Sequence, residues 1–275
     1  MKTIRKKRLL HRLTKKNVLG KGQVGIVYNA VNEDGTHYAL KESKLGPHEI
    51  EFAETISKKY PHQFMTLYNH SENTAVWSKI DQTFRKFLKT SNSPISTILD
   101  IYIQVFNIIY ILQKEGWMHG DFHIGNIGLV KTEEPTIIIQ GHKIPTHGYL
   151  VQAIDYGTVK HIKNPSYDIY RLFAQVYDTD EKHHWGLHSL KKATLTPTQL
   201  TKIKSHLPKG DGFIQTNLSI ILFGILFPTE FKKQYPNIQL LHYLDDSTIL
   251  YLVKNMKKID VCINYLINIR KKYNK

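Results

Sequence analysis

The stretch WMHGDFHIGNIGLV, residues 117–130, sets His119, Asp121, His123 and Asn126 within eight positions of an apolar frame. Burying polar groups at that density is costly unless each finds a partner. The cluster therefore implies a partner, either among its own side chains, in a metal or in a bound substrate. Asp155, in Asp155-Tyr156-Gly157 after the apolar run YLVQAI, adds a carboxylate from another part of the chain. A carboxylate and an amide oxygen from different elements can hold Mg2+ bridging phosphates. A second carboxylate can accept or orient a hydroxyl proton. Gly20-Lys21-Gly22-Gln23-Val24-Gly25 supplies glycines whose spacing lets backbone N–H groups approach phosphates. Tyr38-Ala39-Leu40-Lys41 ends an apolar run with a lysine that is costly to bury without an anion. Glu49, Glu51 and Glu54 follow as candidate partners for it.

Each group alone also has a plain reading. The glycines suit an ordinary hairpin, Lys41 suits a strand end that reaches solvent along its apolar stem, and His123 suits packing with a backbone hydrogen bond. Their order and setting carry the argument further.

Residues 14–80 read as short strands with Gly and Asp-Gly punctuation. GIVYNAV and HYALK flank the turn NEDGTH, and the glycines lie between two strands rather than between a strand and a helix. GPHEIEFAETISKK opens with Pro47 at a helix start and carries Ile50, Ala53 and Ile56 at helical spacing. QFMTLYNH and TAVWSKI add two strands, making a small antiparallel sheet with one helix. SPISTILDIYIQVFNIIYILQKEG predicts a long buried helix, capped by Ser93 or Ser96 and stopped at Gly116. A β-hairpin is expected near 131–150. From about Pro165 the chain reads as helices broken at Pro197, Pro208, Pro228 and Pro236.

Glycine-rich loop, strand lysine, helix glutamate, H-G-D-x-H-x-x-N and D-Y-G, in that order over residues 18–157, resemble the protein kinase superfamily. The resemblance implies an α+β, two-lobed fold. A basic arm (1–13) would precede a nucleotide-binding lobe (14–80) and a mostly helical catalytic lobe (81–275). It implies ATP and Mg2+ as cofactors. Gly20, Lys21, Gly22, Gln23, Val24 and Gly25 would cover the phosphates, Val27 and Ala39 would sandwich the adenine, and the segment Ser78–Ile80 would offer it backbone hydrogen bonds. Lys41 would contact the α- and β-phosphates. Glu49 is the first choice to hold it, because Glu49-Ile50-x-x-Ala53 is most like the family's pairing pattern. Asp121 would be the catalytic base, with Asn126 and Asp155 as Mg2+ ligands.

The chain departs from the family pattern in places. Gly120 stands where H-R-D has arginine, which removes the basic partner of a phosphorylated activation loop. His123 stands where a lysine is common, and it could serve the γ-phosphate or the transition state. This form is also similar to aminoglycoside and choline kinases and to atypical or viral protein kinases. No A-P-E follows Asp155, and Asp168 in YDIYRLF is placed to act as a large-lobe anchor. The expected activity is a Ser/Thr protein kinase acting on a protein substrate. A small-molecule kinase and a pseudokinase scaffold are the alternatives, although retention of Lys41, Asp121, Asn126 and Asp155 argues against the scaffold.

Composition bounds the rest. The 275 residues carry a net charge of +15. Residues 1–16 hold eight Lys or Arg and no acid, and residues 251–275 hold seven and one acid, which leaves about +1 for the body. A nucleic-acid-binding body is thereby disfavoured, while the basic ends suit contacts with nucleic acid or acidic partners. The single Cys262 excludes an intrachain disulfide and suggests a reducing, cytoplasmic setting, which for a viral protein means host cytoplasm or virion. The N-terminus lacks a secretory h-region. LSIILFGILF, residues 218–227, is too short to span a membrane, so no transmembrane segment is expected and a buried helix is. His183, His184 and His188 fall in EKHHWGLH, where His184 and His188 would share a face if helical, but no ligand set completes a zinc pattern.

Overall fold

The computed structural model describes residues 13–22, 25–162, 166–178, 183–186, 193–207, 212–240 and 244–273. In chain order the elements begin with β1 (Thr14–Gly22), β2 (Gly25–Val31), β3 (His37–Glu42), α1 (Pro47–Phe52), β4 (Leu67–His70) and β5 (Ala75–Ser78). Next come β6 (Gln82–Thr83), α2 (Phe84–Thr90), α3 (Ile95–Lys114), β7 (Trp117–Met118), β8 (Ile127–Lys131), β9 (Thr136–Ile139), β10 (His142–Pro145) and β11 (Tyr149–Ala153). Then follow β12 (Lys160–His161), α4 (Tyr167–Phe173), β13 (Gln175–Asp178), β14 (His183–Gly186), α5 (Pro197–Lys204) and α6 (Gly212–Leu226). The last are α7 (Pro228–Gln234), β15 (Ile238–Leu240), α8 (Asp246–Asn255) and α9 (Ile259–Tyr273). The fold is mixed α+β and divides into two compact units. One is drawn from Met1–Ser91, Gly125–Ile138 and Pro145–Lys160, the other from Asn92–Ile124, Ile139–Ile144 and His161–Lys275.

In the first unit an antiparallel sheet runs in the order β1-β2-β3-β5-β4. Asn32–Thr36 makes the expected turn between β2 and β3, with Gly35 at φ 86° and its N–H bonded to the Asn32 carbonyl at 3.1 Å. Val27 pairs with Lys41, Ala39 with Trp77, and Lys41 with Ala75. Side chains alternate along a strand, so these five residues share one face. Ala30, Leu40 and Val76 fill the other face, packed by Leu13, Tyr28 and Tyr38. Helix α1 starts at Pro47, as expected, and continues as a π-helical turn over Ala53–Ser57. A second, three-stranded sheet orders β11-β8-β6. Along the chain between β8 and β11, β9 and β10 form a two-stranded hairpin, its residues Ile139–Ile144 grouped with the second unit; at its base Thr146 donates its N–H to the Pro135 carbonyl (3.1 Å) and its hydroxyl to that of Glu134 (2.5 Å).

In the second unit α3 is the core helix, buried from Leu99 through Phe106 without a break. Its N-cap is Pro94 with no side-chain cap, so neither Ser93 nor Ser96 caps it; proline's fixed φ starts the helix instead. Gly116, at φ 76°, follows its end as expected. This is the one helix among the described residues long and apolar enough to cross a membrane, and 72% of its apolar window is buried, as in the core helix of a soluble protein. Phe173 of α4 lies 6.5 Å, centroid to centroid, from both Tyr102 and Phe106 of α3. Arg270 of α9 makes an ion pair with Asp100, which is 1% exposed. Residues 218–227 lie largely within α6 and are mostly buried. Pro197 and Pro228 open α5 and α7 rather than merely breaking helices, since a first-turn residue needs no N–H. The expected run of helices from about Pro165 is corrected by the sheet β14-β13-β15. His183 and His184 lie on β14, which removes the helical spacing read for His184; His188 lies outside the described residues.

Candidate functional site

Lys41, at the end of β3, points its ammonium at two carboxylates of the first unit. Its Nζ donates to Glu49 Oε1 at 3.3 Å and to Asp155 Oδ1 at 3.0 Å. The choice among Glu49, Glu51 and Glu54 is a matter of helix phase. Glu49 shares a face with Phe52, Ala53 and Ile56, all buried, whereas Glu51 and Glu54 are exposed. Burial weighs most on Lys41 and pulls it down, but the charges and hydrogen bonds of Asp155 and Glu49 outweigh it and hold the lysine above its ordinary value. Burial also pushes Glu49 up; Lys41 pulls the other way, Asp155 adds repulsion, and the net direction is up. Two carboxylates thus share one lysine, and the side chain of Asp155 is 56% exposed where that of Glu49 is 5%.

The backbone explains why Asp155 faces outward beside a buried neighbour. Tyr156 is locked inward, its hydroxyl donating to the carbonyls of Ala153 (2.8 Å) and Met65 (3.2 Å). Its ring packs 4.8 Å from Phe52 and 5.4 Å from Trp77. Asp155 reverses the chain at φ 63°, a left-handed conformation uncommon outside glycine, asparagine and aspartate. Just before it, the Ile154 N–H donates to the Asn126 carbonyl at 3.0 Å, so the two expected metal ligands lie beside the adjoining ends of the paired strands β8 and β11. Gly128, two residues beyond Asn126, is required by close packing: a Cβ there would meet Ile80 Cγ2 at 2.5 Å and Ile154 Cγ2 at 3.1 Å.

Val27 and Ala39 flank Lys41 on its sheet face. In the segment Ser78–Ile80, the Ser78 N–H is already bonded to the Thr66 carbonyl (2.8 Å). Gly20, Lys21 and Gly22 end β1, paired with Val27, Ile26 and Gly25. Gln23 and Val24 lie outside the described residues. A Cβ on Gly25 would lie 2.2 Å from the Glu42 carbonyl oxygen, so β2 can approach β3 there only with glycine; a Cβ on Gly20 would touch nothing.

The second unit holds the remaining residues of the motif. Asp168 of α4 accepts the backbone N–H groups of His119 (2.8 Å) and Gly120 (3.0 Å), as an anchoring aspartate would. Burial pushes Asp168 up, against the pull of His119, these N–H groups and Arg171. Gly120 sits at φ 81°, where a side chain would be strained, which gives a backbone reason for glycine in place of arginine. Asp121 Oδ1 is paired with Arg171 Nη2, and Asp121 Oδ2 lies 3.6 Å from His123 Nε2. Sequence reasoning missed Arg171. The signal was available, since Arg171 falls three residues after Asp168 on the same helix face. It also missed Gly128 and Tyr156, whose roles depend on partners distant in sequence.

Chemically, the first unit offers a buried cation flanked by a partly exposed carboxylate, and the second an aspartate gripped by an arginine. Asp155 and Asn126 supply the hard oxygen donors that Mg2+ prefers. No protein-family model matches the chain, and no curated protein matches it.

Proposed function

We propose that the chain is an ATP- and Mg2+-dependent phosphotransferase with a two-lobed, protein-kinase-like fold, acting on a Ser or Thr hydroxyl of a protein. The observation that carries this reading is the Lys41 cluster, in which a β3 lysine is bonded to the α1 glutamate Glu49 and to Asp155 of the D-Y-G segment. The five-stranded sheet around it and the Asp168 anchor beneath His119 and Gly120 support it further. Lys41 would hold the α- and β-phosphates, kept in place by Glu49, and Asp155 with Asn126 would hold Mg2+. Bound Mg2+ would neutralise phosphate charge as it redistributes during transfer. Asp121 would orient the acceptor hydroxyl and take its proton.

Incubation with labelled ATP and Mg2+ and a panel of proteins, aminoglycosides and choline-like amines tests the reading. Transfer to protein Ser or Thr, lost in both Asp121→Ala and Asp155→Ala, is the expected result. Equal label incorporation in both folded variants would overturn it. A second reading, transfer to a small molecule, is favoured by one feature: only eleven residues lie between Asp155 and α4, leaving little chain for docking a peptide. Label confined to the small acceptors would select it.

A further inference from the structure

Arg171 is the residue that no motif demanded. It projects from α4 with its side chain only 14% exposed, and its Nη2 grips Asp121 Oδ1. A guanidinium so nearly buried is costly without an anion, and Asp121 supplies one while remaining 31% exposed itself. The same helix, one turn earlier, carries Asp168, which fixes the backbone of His119 and Gly120 through two N–H bonds. One rigid turn of helix therefore sets both the backbone before Asp121 and the orientation of its carboxylate. The other oxygen, Oδ2, lies 3.6 Å from His123 Nε2.

We infer that Arg171 is a positioning residue for the phosphoryl transfer proposed above, holding Asp121 by Oδ1 and so orienting the carboxylate that takes the acceptor proton; the inference rests on that reading. In the step it serves, the acceptor oxygen bonds to the γ-phosphorus, and the hydroxyl proton passes to Asp121. The bond from the γ-phosphorus to the β–γ bridging oxygen breaks, and the electron pair leaves with ADP. The contact runs through one guanidinium nitrogen, Nη2, to Oδ1, and arginine keeps its charge throughout the working pH range. Arg171 also places a cation beside Asp121, whose own loop has Gly120 where arginine is usual and His123 where lysine is usual.

The test uses the full chain with labelled ATP, Mg2+ and the best acceptor from the panel, and rates are normalised to the fraction of molecules that bind ATP. Arg171→Ala is expected to lower kcat by about 10²-fold with KM for ATP unchanged, the scale of a misplaced reacting group. Arg171→Lys should recover part of that loss. In an Asp121→Asn background, Arg171→Ala should cause no further loss, because its effect runs through Asp121. Normalisation to ATP-binding molecules removes any unfolded fraction, and Arg171→Lys retains the charge while changing the geometry of the contact. A kcat within twofold of the parent in Arg171→Ala, or an equal loss in both backgrounds, would overturn the inference. Full transfer by Asp121→Asn would overturn the kinase reading itself, and is distinguished from the first two results by the single variant.

Discussion

Two buried ion pairs in this protein use the same chemistry to different ends. In the second unit Asp100 of α3 meets Arg270 of α9, one anion against one cation, with side-chain exposures of 1% and 14%. In the first unit Lys41 meets two carboxylates, one sealed under α1 and one more than half exposed. The first arrangement is enclosed, and it joins two helices. The second sums to one net negative charge, with Asp155 at its open end, which is where the proposed function would place Mg2+ together with the ATP phosphates. Desolvation makes either arrangement costly on its own, so the charge count and the open end are what separate a staple from a candidate site.

That contrast can be broken by substitution. The largest effect is expected at the open cluster, where Lys41→Ala and Asp155→Ala should each reduce phosphoryl transfer by roughly 10³-fold or more, as for loss of a main charge-stabilising group. Asp155→Ala should melt within a few degrees of the parent because Lys41 still pairs with Glu49, whereas Lys41→Ala also leaves Glu49 buried without its cation and should melt lower; transfer assays beside thermal melts check both statements. Arg270→Ala should behave in the opposite sense. It leaves Asp100 buried without its cation and should cost about 3–5 kcal/mol, read by urea unfolding, while the activity of the molecules still folded is retained. Replacing both partners, Asp100→Leu with Arg270→Met, should restore much of that stability, because no lone charge is then left buried. A loss in the double variant equal to that in Arg270→Ala would show that packing, not the uncompensated charge, sets the cost.

Smaller effects sharpen the contrast. Gly128→Ala drives a methyl into Ile80 and should destabilise by about 1–3 kcal/mol, the range for overpacking, with weaker ATP binding by calorimetry. Mg2+ should strengthen nucleotide binding in the parent and do so far less in Asp155→Ala; an equal Mg2+ effect in both would remove Asp155 from the metal site. The smallest effect is a pH slope. The Glu49 carboxyl is held above its ordinary 4.5 by burial, so the folded state keeps its proton to higher pH than the unfolded chain. Its contribution is fully present below pH 4.5 and is lost as pH rises through the folded value. Relative to Glu49→Gln, the parent should therefore lose stability as pH rises through that window, and a slope of opposite sign would contradict the buried placement.

Much of this was legible in the sequence, for local reasons. The alternation in GIVYNAV and HYALK, with Asp-Gly between, was enough for the β2–β3 hairpin. Helical spacing and Pro47 sufficed for α1. The capping of α3 was misread because serines near a start attract attention, while Pro94 did the work. The strand at 183–186 was missed because the chain after Pro165 reads as helices broken at prolines, and antiparallel pairing with β13 decided otherwise. Gly120 was read as a lost arginine, and the structure adds that φ 81° favours glycine there.

The sequence by itself determined which chemical groups are present, their order along the chain and which of them share a face within one strand or helix. Those follow from backbone period and need no distant partner. Tertiary packing alone decided that Asp155, 114 residues away, shares Lys41 with Glu49, and that Arg171, 50 residues away, holds Asp121. Such partners are chosen by how whole elements dock, and a buried charge accepts whichever opposite charge that docking brings within reach.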